Sequence, residues 1–187
     1  MGEVNFMINL GSKITSGLLD FFFLNPSAKK YINELAKLLS LDPKNTYRKL
    51  VELEEEGLLN SEYRGVEKFY FLNGKFPLLK EYRNIFMKTV GIEKKIRDIL
   101  AGMTGVSEAY IFGSYAKNKM DVNSDIDLLV IGSHSVVDLQ KKINLLQKNV
   151  GREINVVNVG KKEFEQKKKS KDPFLSRVMG GSLISLK

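Results

Sequence analysis

The sequence predicts an α+β chain in two parts, and two observations carry that reading. Up to about residue 72, apolar residues recur at helical spacing three times and then give way to a short hairpin pattern. From Val106 onward, apolar strands alternate with amphipathic helices, the pattern of a small mixed sheet with helices on one side. At 187 residues the chain is long enough for two small cores. The expected division is residues 1–75, a linking helical stretch over 76–104, and 105–187.

The first helix carries Ile14, Leu18, Leu19, Phe22 and Phe23 on one face and stops at Asn25-Pro26. A second, short helix contains Tyr31, Ile32, Leu35, Ala36, Leu38 and Leu39. After the Ser40-Leu41-Asp42 turn, Pro43 suits the first position of a third helix, because its missing N–H would be unpaired there anyway. That helix turns Thr46, Leu50 and Leu53 inward and leaves Lys44, Asn45, Arg48 and Lys49 outside. Gly57 closes it. Ser61-Glu62-Tyr63 and Lys68-Phe69-Tyr70-Phe71 then flank a turn at Arg64-Gly65-Val66.

Helix, helix, turn, helix and hairpin in this order resemble a winged helix-turn-helix domain. The resemblance implies that the third helix enters the major groove of double-stranded DNA and that the wing meets phosphates. Lys44, Asn45, Arg48 and Lys49 would then contact the groove, and Arg64 and Lys68 the backbone. Pro77 to Val90 reads as a linking helix with Leu78, Leu79, Tyr82, Ile85 and Phe86 on one stripe. A further helix starts at Ile92. Regulators with winged helices commonly pair through such helices, so a homodimer is expected by analogy.

In the second part, Val106–Phe112 is the first strand and Tyr115–Lys119 a short helix. Met120–Ser124 makes a loop before a strand over Asp125–Ile131. Ser135 caps the next helix, whose apolar stripe is Val136, Val137, Leu139, Ile143, Leu145 and Leu146, and Gly151 ends it. Arg152–Val159 is the third strand. Asp172-Pro173 opens another helix, and Ser182–Leu186 is the last candidate strand. The lysine-rich run over 161–171 fits a solvated helix face, and His134 has no partner motif.

Composition narrows the function. Apolar residues make up 43% of the chain and charged residues 28%, as in ordinary soluble proteins. There is no cysteine, which excludes disulfides and thiolate metal sites. Phe21-Phe22-Phe23-Leu24 is far too short to cross a bilayer, so no membrane partner and a cytoplasmic location are expected. The net charge of +8 favours a polyanionic partner. Residues 1–90 carry 13 basic against 11 acidic side chains, and residues 91–187 carry 17 against 11, so most of the excess lies in the second part.

The chemistry concentrates at Gly113-Ser114-Tyr115-Ala116 and Ser124-Asp125-Ile126-Asp127-Leu128-Leu129-Val130. Side chains alternate along a strand, so Asp125 and Asp127 share one side while Ile126, Leu128 and Val130 take the other. Two adjacent carboxylates repel unless a cation lies between them, and hard oxygen ligands at this spacing suit Mg²⁺. The Gly113-Ser114 turn offers backbone N–H groups to phosphate oxygens.

Together these residues resemble the minimal branch of the DNA polymerase β-like nucleotidyltransferase superfamily, whose signature is Gly-Ser, a short helix, then Asp-x-Asp on the next strand. The resemblance implies a nucleotidyltransferase fold, Mg²⁺ held by Asp125 and Asp127, and a nucleoside triphosphate, ATP by expectation, held by Gly113 and Ser114 with help from Lys117. Asn118 stands where many relatives carry glycine. The family's third carboxylate falls at Asn155, which cannot take a proton. Glu153 lies two residues earlier, on the same face, and is expected to stand in as the third catalytic carboxylate beside Asp125 and Asp127. Two functions follow. One is a transferase moving a nucleoside monophosphate onto a macromolecule, as antitoxin-type relatives do to a toxin-like protein partner. The other is a non-catalytic DNA-binding regulator whose nucleotidyltransferase-like part senses nucleotide or mediates dimerisation.

Overall fold

The computed structural model describes residues 12–120 and 124–187, so most of the expected Met120–Ser124 loop lies outside the described residues. The chain divides into two compact units, Met1–Ile92 and Glu93–Lys187. No described helix is long and apolar enough to cross a membrane.

In the first unit, α1 (Lys13–Leu24) starts where the Ser12 side chain accepts the Thr15 N–H. Leu18, Leu19 and the whole Phe21–Leu24 run are buried, so this apolar stretch is core. A two-residue strand, β1 (Lys30–Tyr31), leads straight into α2 (Ile32–Leu39). It is too short to leave any alternation in the sequence, which is why only a helix was expected there. Next, α3 (Pro43–Glu55) begins with Asp42 accepting the Asn45 N–H at 2.8 Å and Pro43 at its first position. Thr46, Leu50 and Leu53 are buried as expected. β2 (Leu59–Arg64) and β3 (Glu67–Leu72) form a hairpin around Gly65-Val66, where Gly65 takes the left-handed conformation, φ 61°. The sheet order is β1-β3-β2, all antiparallel.

The helix α4 (Leu79–Thr89) corrects one expectation. It buries Phe86 and Met87, whereas Leu78 is exposed and Ile85 is 56% exposed. The reason is tertiary: Arg83 Nε donates to the Phe23 carbonyl at 3.1 Å and the Phe86 ring packs on Phe23, with centroids 5.6 Å apart. Those contacts turn Arg83 and Phe86 toward α1 and leave Ile85, which the sequence stripe also places inward, on the exposed side.

The second unit opens just inside α5 (Ile92–Ala101) and continues with β4 (Val106–Phe112), α6 (Gly113–Ala116), β5 (Ile126–Gly132), α7 (Val136–Val150), β6 (Ile154–Val159), α8 (Lys161–Lys169), α9 (Pro173–Met179) and β7 (Ile184–Ser185). The sheet order is β6-β5-β4-β7. β4 is antiparallel to both of its neighbours, and β5 is parallel to β6. The caps expected at Ser135, Gly151 and Asp172 are present. Three expectations shift. The short helix begins at Gly113 rather than Tyr115, and Asp125 lies one residue before the strand. Within α7, Val136, Val137 and Leu145 are exposed, and the buried stripe is Leu139, Ile143, Leu146 and Val150.

Nor does the sheet have helices on one side only. Leu129 and Ile131 pack with Phe164 of α8 and Leu175 and Val178 of α9. Ile126, Leu128 and Val130, on the reverse face, are fully buried as well. A strand buried on both faces needs cover on both. This makes β5 the central, most enclosed strand of the unit.

Candidate functional site

The site is built where β4 ends. Gly113 follows Phe112 with φ 73° and enters α6 with no intervening loop. The left-handed conformation is one reason for glycine there; a neighbour is the other. A Cβ at this position would lie 2.1 Å from Asp127 Oδ2, so the carboxyl group of β5 occupies the space that a side chain would need. The turn is pinned from behind by Tyr115, which is buried and donates its hydroxyl proton to Glu93 Oε1 at 3.2 Å. Asn118, at φ 54°, takes the left-handed position after α6 that its residue type tolerates.

Across the sheet, Asp127 stands opposite Phe112 on one side and Asn155 on the other. Residues paired in register face the same way, so Asn155 shares the face of Asp127. Its side-chain amide donates to Asp125 Oδ2 at 3.1 Å, which brings Asp125 to that face too. Burial, and next the negative charge of Asp125, push the Asp127 carboxyl above its usual range. Two carboxylates that share a face in this way are a donor set that a divalent cation fits.

A cavity of about 380 Å³ opens beside this pair. Gly113, Lys117 and Asp127 line it, together with residues that the sequence did not single out: Phe112, Val157, Phe174, Arg177 and Val178. The Phe112 and Phe174 rings meet edge to face at 6.0 Å, forming an aromatic wall. Phe174 and Arg177 are one turn apart on α9. Their only sequence signal was the Asp172-Pro173 helix start, which says nothing of where that helix docks.

The structure thus brings together Gly113, Lys117, Asp125 and Asp127. Ser114 is half-buried in the same turn without lining the cavity. Glu153 is exposed in the segment before β6, where its carbonyl accepts the Ile126 N–H at 3.0 Å. Among the described residues no three His, Cys, Asp or Glu side chains gather as a metal site. Asn155 holds the position beside Asp127. His134 is buried away from the pair, with Nε2 2.7 Å from Asn158 Oδ1 on β6.

In the first unit, Lys44, Asn45 and Arg48 are exposed on the outer side of α3. The other three cations expected to meet DNA hold acids. Lys49 pairs with Glu52, and Arg64 pairs with Glu62 at 2.6 Å while its guanidinium lies over the Phe69 ring. Lys68 bridges to Glu54 at 2.7 Å with its side chain only 25% exposed.

Residues 93–178 match the model of the nucleotidyltransferase domain. A protein of Methanocaldococcus jannaschii, provisionally named a protein adenylyltransferase, is 41% identical over 68 residues, which span 35% of this chain and 72% of that one. Among solved structures, a toxin-antitoxin crystallised with AMP-PNP aligns at a TM-score of 0.38 and 20% identity, covering 51% of this chain and 72% of that one. A nucleotidyltransferase-assigned protein from Sulfolobus solfataricus aligns at 0.30 and 18%, covering 50% and 73%. With the Gly-Ser turn locked against Asp127 and the second aspartate on the same face, the chain belongs to the nucleotidyltransferase domain family.

Proposed function

We propose that the second unit is a Mg²⁺-dependent transferase that moves a nucleoside monophosphate, AMP by preference, onto a hydroxyl group of a protein. The observation that carries the reading is the contact between Gly113 and the Asp127 carboxyl, which puts the Gly113 turn and a paired carboxylate beside one cavity. In the reaction, an acceptor hydroxyl oxygen bonds to the α-phosphorus and gives up its proton to water, the bridge to the β-phosphate breaks, and pyrophosphate leaves. Asp125 and Asp127 would hold the cation, which supplies positive charge to the phosphates. The turn at Gly113-Ser114 orients the phosphate chain and Lys117 offsets its charge. Asn155 orients Asp125 through its amide and cannot itself take the acceptor's proton. A protein acceptor is supported by the name of the M. jannaschii relative.

The first unit we assign to DNA. Three helices and a hairpin in winged-helix order support this, as do Lys44 and Arg48 exposed on α3. A second reading of the whole chain, a regulator that binds nucleotide without transferring it, is favoured by Asn155 in place of a third carboxylate.

The deciding experiment measures binding of ribose-labelled fluorescent ATP (mant-ATP) and transfer of α-labelled AMP by the full chain, with Mg²⁺ and in EDTA. Asp127→Asn is expected to abolish Mg²⁺-dependent binding. In EDTA it should bind ATP no worse than wild type, because it removes a repelling charge. Equal binding by both proteins in Mg²⁺ refutes the site. Binding without transfer to any protein selects the regulator.

A further inference from the structure

The cavity beside Asp127 holds one feature that the proposed chemistry leaves unused. Arg177 lines it from α9, fifty residues after Asp127, and is exposed. Among the described residues it has no ion-pair partner, and its guanidinium carbon lies 5.9 Å from the centroid of the Phe174 ring. Lys117, on the α6 side of the same cavity, likewise has no ion pair among them. By contrast, the cations of the basic helix α8 include Lys167, which holds Glu163 at 2.8 Å. Two cations without ion pairs line a cavity that also holds the Asp127 carboxyl and the apolar side chains of Phe112, Val157, Phe174 and Val178, which describes a receptor for a ligand that is anionic at one end and planar and apolar at the other.

We infer that Arg177 is a substrate-binding residue that holds the terminal phosphates of the nucleoside triphosphate, with the Phe112–Phe174 wall against its nucleoside. The inference rests on the nucleotide reading of the preceding subsection and adds to it a residue and a division of labour. Guanidinium suits this role better than ammonium because its fork presents paired donors to phosphate oxygens while its flat face rests on an aromatic ring. The Phe174 ring lies within cation–π reach of the guanidinium, on the same helix and one turn away.

Fluorescent titration of the full chain tests it, using mant-ATP and mant-AMP with Mg²⁺ present and in EDTA. Arg177→Gln should raise the Kd for mant-ATP about tenfold, in line with the loss of a charge-assisted hydrogen bond, and raise that for mant-AMP by less than about twofold. Arg177→Lys should recover part of the difference. The Arg177→Gln effect should persist in EDTA, whereas the loss caused by Asp127→Asn requires Mg²⁺. Because Arg177 is exposed, its variants are expected to keep the wild-type melting temperature. Wild type that binds nucleotide, with Arg177→Gln unchanged or equally impaired for both ligands, overturns this inference alone. Wild type that binds neither ligand overturns the nucleotide reading, and this one with it.

Discussion

On the hairpin of the first unit, charge is matched locally: Lys68 with Glu54, and Lys29 and Arg64 both with Glu62. In the second unit, like charges stand together instead. Asp125 and Asp127 share a face, and across the cavity Lys117 and Arg177 have no acid among the described residues. The first arrangement stabilises a fold by small amounts, since exposed pairs contribute at most about 1 kcal/mol each. The second costs stability and makes sense only when a ligand brings the missing charges. Compensated charge marks structure; segregated charge beside a cavity marks binding.

The strongest way to break this contrast is Gly113→Ala. The added methyl would sit on Asp127 Oδ2 in a left-handed backbone, a strain on the order of 1–3 kcal/mol. Mg²⁺-dependent mant-ATP binding should vanish and the melting temperature of the second unit should fall. If both survive, the turn and the carboxylate are not coupled. Asn155→Asp sharpens the contrast by adding a third negative charge beside Asp127. Calorimetry should show Mg²⁺ affinity raised by about tenfold and a metal-free protein that melts earlier. Unchanged affinity would place the cation elsewhere.

In the first unit the effects should be smaller. Arg48→Ala should weaken DNA binding by roughly 1 kcal/mol and lower the salt slope by about one, as read by anisotropy at several salt concentrations. Arg64→Ala, whose partner is Glu62, should matter less. The smallest effect concerns Glu54. Burial pushes its carboxyl up, but hydrogen bonds from Lys68 and Ser61 outweigh that and hold it below the ordinary value of 4.5. A carboxyl lowered on folding adds stability above that ordinary value, and the gain fades as pH falls through the folded pKa. Glu54→Gln should therefore cost up to about 1 kcal/mol at neutral pH and flatten the acid side of the stability curve. A mutant curve parallel to wild type would remove the clamp.

Much of the local structure was legible beforehand. Ser135, Asp172 and Pro173 start helices where their side chains or ring demand it, and Gly151 and Asn118 take the left-handed positions that they tolerate. Asp125-x-Asp127 and Gly113 were legible too, because alternation and backbone freedom are properties of a few consecutive residues. Exposed faces were read less well. Apolar residues at Ile85, Val137 and Leu145 were assigned inward since hydropathy alone cannot tell which of two adjoining stripes a neighbour will cover.

By itself, then, the sequence determined the elements, their caps and the pair of acids facing one way. Only the tertiary structure decided that Asn155 sits beside Asp127, that α4 is rolled toward Phe23, and that α9 brings Phe174 and Arg177 to the mouth of β4. Short-range pattern follows from dihedral preference and hydrogen bonding within a few residues. Which distant side chains meet depends on how whole faces pack and on the register between strands, and no local stretch of chain encodes that.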